Sequence, residues 1–91
     1  MISRPNREAV KDFAHRSRNF IAQLKSRPCA DCGGSFPSCV MDFDHVRGAK
    51  FAGVGQMMIY SRKRLLREVA KCDIIYSNCH RIRTAKRHGR L

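Results

Sequence analysis

The run V-M-D-F-D-H-V at residues 40–46 is extended in character, yet it carries two carboxylates and an imidazole where a core strand would carry more valine. Side chains two apart on a strand leave the same face, so Asp42 and Asp44 are expected side by side. Taken alone, such a run reads as a strand near a turn with solvated acids. Its neighbours in the chain give it another meaning.

Upstream, residues 29–37 read C-A-D-C-G-G-S-F-P, a tight turn whose paired glycines let the backbone fold around whatever Cys29 and Cys32 hold. Downstream, V-R-G-A-K-F-A-G-V-G forms a glycine-rich loop. A helix is expected from about Ser61 to Lys71 with Leu65, Leu66, Val69 and Ala70 inward, followed by a short β-branched strand, D-I-I-Y-S, at 73–77. The end of the chain, N-C-H-R-I-R-T-A-K-R-H-G-R at 78–90, is polar and helix-compatible, with only Ile82 and Ala85 to bury. Before the thiol turn, Val10, Phe13, Ala14, Ile21 and Leu24 recur at helical spacing and Phe20 widens the stripe. Pro5 or Asn6 can open that helix, Glu8 suits its first turn, and Pro28 closes it by pushing the preceding residue out of the helical region. The order is helix, thiol turn, strand, loop with helix, strand, basic helix, which makes the chain α+β.

At 91 residues the chain is a single domain with a modest core, and a bound metal is a plausible supplement to it. Its charge is one-sided: 19 Lys+Arg against 7 Asp+Glu, a net +12. Repulsion on that scale opposes a compact fold unless a polyanion offsets it, so nucleic acid is the expected partner. The longest apolar stretches, Met57-Met58-Ile59-Tyr60 and Ile74-Ile75-Tyr76, are too short to span a bilayer, and M-I-S-R-P-N-R-E lacks the apolar segment of a signal peptide. A cytoplasmic protein with reduced thiols is therefore expected. Five cysteines, an odd number that includes a C-x-x-C pair, then point to metal binding rather than disulfides. A redox pair would sit in a βαβ context, which is missing here.

Three motifs in this order, C-x-x-C-G (29–33), D-F-D-H-V (42–46) and S-N-C-H-R-x-R-T (77–84), resemble the HNH endonucleases of the ββα-metal, or His-Me finger, superfamily. The resemblance is to the small zinc-clasped members found in phages and bacteria, and it runs from Cys29 to Arg87. It implies an antiparallel hairpin followed by a helix, with one divalent ion between them. Residues 1–28 are then an added N-terminal helix, 29–87 the zinc-clasped core with a helical insertion between its strands, and 88–91 a basic tail.

Phosphodiester hydrolysis needs an activated water and stabilisation of charge on the phosphoryl and leaving oxygens. Histidine, with an ordinary pKa of about 6.5, suits the first task. The resemblance makes His45 the general base, Asp44 and His80 the ligands of the catalytic cation, and Asn78 an orienting or phosphate-positioning residue. Magnesium or manganese fits a site that keeps exchangeable positions for water and phosphate; nickel or zinc can also bind an imidazole-carboxylate pair. Arg81, Arg83 and Lys86 are expected to meet DNA phosphates. Asp42 is left outside this expected site, and His15 and His88 are read as exposed helix residues.

The resemblance also implies a structural zinc held by two C-x-x-C pairs. Cys29 and Cys32 match the first, but the second reads Tyr76-Ser77-Asn78-Cys79 and keeps a single thiol. In a hairpin the start of the first strand lies beside the end of the second, so Cys39 is expected near Cys79 as the fourth ligand. Cys72, four residues before Tyr76 and so about 13 Å away along a strand, is expected as a free buried thiol.

The expected function is a metal-dependent endonuclease with low sequence specificity, since little beyond the motif can read base edges. One site in a monomer cuts one strand, whereas duplex cleavage takes a homodimer or two events. The rivals are a non-catalytic zinc-knuckle module that binds nucleic acid, and an accessory nuclease subunit of a larger DNA-processing machine such as a phage packaging complex.

Overall fold

The computed structural model describes residues 7–91, with side chains from Asp12 onward. Pro5, Asn6 and the side chains of Glu8 and Val10 lie outside the described residues. Two strands, β1 (Met41–His45) and β2 (Cys72–Tyr76), pair antiparallel with Met41 opposite Tyr76, Asp44 opposite Asp73 and His45 opposite Cys72. Directly opposed residues share a face. Phe43, His45, Cys72 and Ile74 therefore line one side of the hairpin, and Asp42, Asp44, Asp73 and Ile75 the other.

The first side packs on helices α1 (Arg7–Leu24) and α2 (Arg62–Val69), whose Ile21 and Leu65 meet Val54, Met57 and Cys72 in one buried cluster. A second cluster, Cys29, Met41, Ile74 and Ile75, sits beneath the thiol turn against Phe36, Tyr76 and Cys79. Met41 and Ile75 are fully enclosed, each contributing about 1.5–3 kcal/mol of burial. Helix α3 (Ser77–Arg87) follows β2 without a loop and is tied back by Ser77 Oγ, which donates to the Val40 carbonyl at 2.6 Å. The strand-strand-helix order expected from the sequence is present, with α2 inserted between the strands.

Local differences have physical causes. Helix α1 stops at Leu24, four residues before Pro28, where the Lys25 amide is shared between the Ile21 and Ala22 carbonyls. Phe13, expected inward, is 42% exposed. Helix α2 is capped by Ser61, whose hydroxyl accepts from the Arg64 amide, and turns Leu65 and Glu68 to the core. Leu66 and Ala70, expected inward, face out. An 8-residue helix buries a narrow stripe, and the i, i+3 pair Leu65–Glu68 takes it. The inserted segment closes where the Val46 and Arg47 amides both donate to the Lys71 carbonyl, with Gly48 in the left-handed region at φ +68° to make the bend. Among the described residues no helix is long and apolar enough to cross a membrane.

Candidate functional site

The α3 side of the hairpin gathers Asp31, Asp42, Asp44 and Asp73, four of the chain's seven acidic residues, around His80, Arg83 and Arg87. Asp44 is 4% exposed and bound by Arg83 Nη1 at 2.9 Å and by both Arg87 Nη atoms at 3.0 and 2.8 Å. The Arg87 hydrogen bonds, opposed by burial and helped by Arg83, hold its carboxyl at about 2. Arg83 also grips Asp31 and Asp73, and the Asp31 pairing above all raises its own basicity. Four carboxylates thus face three guanidiniums, since Arg47 also reaches Asp73 at 3.1 Å, leaving one negative charge before His80 is counted.

His80 stands between two of those acids. Its Nδ1 lies 3.0 Å from Asp42 Oδ2 and its Nε2 lies 3.5 Å from Asp44 Oδ1. A carboxylate only accepts, so Nδ1 donates to Asp42. In the neutral ring Nε2 then presents a lone pair to Asp44. Two such donors repel unless a proton or a cation lies between them. Ligands of one ion with bonds of about 2.1 Å sit about 3.0–3.4 Å apart, close to the separation here. A carboxylate behind a ligating imidazole is also the usual support of a metal site, since it fixes the tautomer. Asp44 and His80 are therefore close enough to share a proton or a cation, with Asp42 behind the ring.

His45 leaves β1 on the opposite face. Its Nε2 lies 2.9 Å from Glu68 Oε2, and its side chain is 13% exposed. Glu68 is 2% exposed and also accepts from the Phe51 amide at 2.9 Å and from Lys71 Nζ at 2.8 Å. The Lys71 bond, countered by burial and reinforced by the Phe51 amide and His45, keeps its carboxyl at about 2. Glu68 is thus ionised and accepting, so His45 Nε2 carries the proton and Nδ1 is its basic nitrogen.

At the opposite end of the hairpin the Cys29, Cys32 and Cys79 sulfurs lie within 4.8 Å of one another. The Asp31, Cys32 and Tyr76 amides donate to Cys29 Sγ at 3.3–3.5 Å. Burial pushes the Cys29 thiol up, but these amides outweigh it and bring it down to about 6. Burial and the two neighbouring sulfurs push Cys79 up to about 11. Gly33, at φ +71°, makes the knuckle that aims those amides, and a side chain there would be strained. The three-sulfur group can hold a metal such as zinc.

Comparison with protein-family models, curated proteins and solved structures finds no match to this chain. What the chain does must be reasoned from its own geometry.

Asp44 and His80, expected to share a cation, are brought together. His45 is not with them: adjacent strand residues point to opposite faces, and Glu68 holds it on the α2 side. Asn78 is also apart from His45. It follows Tyr76, which pairs with Met41, about 13 Å along the strand from His45, and its Nδ2 donates to the Tyr76 hydroxyl at 3.2 Å. Cys39 does not join the thiol group. The ladder ends at Met41–Tyr76, where the chain before β1 curls into a short 3-10 turn (Ser38–Val40) and the chain after β2 enters α3, leaving Cys39 exposed on the turn. Arg83, expected on phosphate, is committed to three carboxylates. Arg81 and Lys86 are exposed, and Arg81 and Arg90 flank a shallow depression beside Asp42, His80 and Thr84. Cys72 is buried in the core, with its thiol 3.5 Å from the Glu68 carbonyl and pushed up to about 11 by burial.

Two residues of the site were missed in the sequence. Asp42 shares a face with Asp44, a visible signal, but nothing in the sequence showed the His80 ring meeting both acids. Glu68 lies three residues after Leu65 on an otherwise apolar stripe, and a carboxylate at an inward helical position was the signal for it.

Proposed function

We propose that this protein is a metal-dependent endonuclease of the HNH type that hydrolyses DNA phosphodiester bonds with low sequence specificity. The observation that carries the reading is the Asp42–His80–Asp44 arrangement. His80 is oriented through Nδ1 and aims Nε2 at a buried carboxylate, inside a cluster whose acids outnumber its guanidiniums by one. Magnesium or manganese suits this mixed oxygen and imidazole set. Bound there, the ion supplies positive charge for the phosphoryl and leaving oxygens.

The chain's own residues do the remaining work. Asp44 and His80 are the ligands, and Asp42 holds the His80 ring. Arg87, half exposed, swings from Asp44 Oδ1 to phosphate when the ligand position is taken, while Arg83 stays clamped to Asp31 and Asp73. Arg81 and Arg90 draw the backbone into the depression beside His80. His45 is the base through Nδ1, with Glu68 fixing its ring through Nε2. His45 ends β1 on the face away from the Asp44–His80 pair, so a shared phosphate would have to lie across the strand end. A metal on Cys29, Cys32 and Cys79 fastens the turn before β1 to the start of α3.

A non-catalytic nucleic-acid-binding module is the second reading, and it is favoured by His45 being paired on the face away from His80. An accessory nuclease subunit of a phage packaging complex is a special case of the first reading. Incubation with supercoiled plasmid in magnesium or manganese separates the two classes, with EDTA and His45→Ala as controls. Nicked product that disappears with EDTA and in the variant is expected of the nuclease. Plasmid left intact by every metal while still retarded on a gel belongs to the binding module.

A further inference from the structure

The three sulfurs of the thiol group come from two places, Cys29 and Cys32 on the turn and Cys79 on the first turn of α3. Zinc takes four ligands, so the identity of the fourth decides whether the site is closed. Each nearby side chain that could supply it is engaged elsewhere or absent from the group. The Tyr76 ring stacks on Phe36 at 4.0 Å between centroids and 11° between planes, and its hydroxyl accepts from Asn78. Cys39 is outside the group, exposed on the 3-10 turn before β1. Cys72 is buried in the other cluster, four residues back along β2.

The group is also open to solvent on one side. Cys29 is buried at 3% exposure, whereas Cys32 is exposed and Cys79 half-buried. A Cβ at Gly34 would collide with the Phe36 ring at 2.8 Å, so the glycine there lets that ring lie against the turn, and the open side of the group is the one where Cys32 is exposed.

We propose that Cys29, Cys32 and Cys79 bind zinc through three thiolates and leave its fourth position open at the surface, where it takes a small exogenous thiolate. Zinc prefers sulfur and nitrogen donors, and an anionic thiolate is drawn to a chain of net +12. The site is thereby a ligand-exchanging one, sensitive to the thiol content of its surroundings. This stands apart from DNA cleavage and is read without it.

The test replaces zinc with Co2+ in the full chain and titrates it with 2-mercaptoethanol, following the d–d bands and the sulfur-to-cobalt charge-transfer absorption. In the expected result the charge-transfer intensity rises by about a third on thiol saturation, the step from three thiolates to four. Cys39→Ser, an exposed and conservative change, responds identically. A spectrum indifferent to added thiol overturns the proposal. So does a Cys39→Ser protein that starts about a quarter weaker than the parent, because Cys39 would then be the fourth ligand. Failure to bind Co2+ at all overturns it equally.

Discussion

Removing the Glu68 carboxylate takes an acceptor from three polar groups at once on the α2 side of the hairpin. In Glu68→Ala the His45 Nε2 and the Phe51 amide lose their acceptor, and Lys71 Nζ keeps only the Ala49 carbonyl. Lys71 is 29% exposed and rehydrates, so its share is about 0.5 kcal/mol, as for other surface pairs. The Phe51 amide and the His45 ring, 13% exposed, recover less, at about 1 and 1–2 kcal/mol. The total is about 3 kcal/mol, a large part of the ~5–14 kcal/mol that holds a domain of this size. At about 4–8 °C per kcal/mol, the melting temperature should fall by about 12–24 °C. Zinc-saturated protein followed by circular dichroism in urea and on heating measures both quantities. Glu68→Gln keeps one acceptor oxygen and should lose less. A loss under about 1 kcal/mol for the alanine variant refutes the reasoning, because Glu68 would then not be the hub of that network.

Acid should weaken the fold through the same carboxylate and through Asp44. Both sit at about 2 in the folded chain against ordinary values of 4.5 and 3.8, so the unfolded chain takes up protons first. Their stabilisation is complete above about pH 4.5 and drains away as pH falls toward 2, and urea midpoints across that window should drop less steeply in an Asp44→Asn, Glu68→Gln double variant. Arg83→Met breaks pairs to Asp31, Asp44 and Asp73, so its main effect should be a lower thermal midpoint; a large loss of DNA affinity without loss of stability would contradict that placement. Arg81→Ala and Lys86→Ala should leave the melting curve within about 0.5 kcal/mol and each reduce the salt slope of DNA binding by about 1. Stripping metal from the thiol group with a strong chelator should lower the midpoint, and Cys79→Ser should abolish the chelator's effect.

The hairpin and both helices around it were legible in the sequence, because alternation, β-branching and helical stripes depend on local spacing; the pairing of Asp44 with His80 came only from the resemblance of the motifs. What was not legible depends on side-chain reach across elements. Helical spacing pointed Leu66 inward but could not show that Leu65 and Glu68 would take the narrow buried stripe. Hairpin pairing put Cys39 near Cys79 in principle, yet the ladder ends at Met41–Tyr76 and the chain diverges into a 3-10 turn and a helix. Arg83 reads in the sequence like Arg81 and Lys86, all three expected on phosphate, but the fold brings Asp31 and Asp73, from the thiol turn and β2, beside it.

If Asp44 and His80 hold one divalent cation with Asp42 behind the ring, the zinc-loaded chain should bind Mn2+ through them. Electron paramagnetic resonance should report one Mn2+ per chain, weakened at least tenfold in Asp44→Asn and His80→Ala and more mildly in Asp42→Asn, whose amide still meets His80. Binding that ignores all three substitutions, or no bound Mn2+ in the parent protein, would contradict the account.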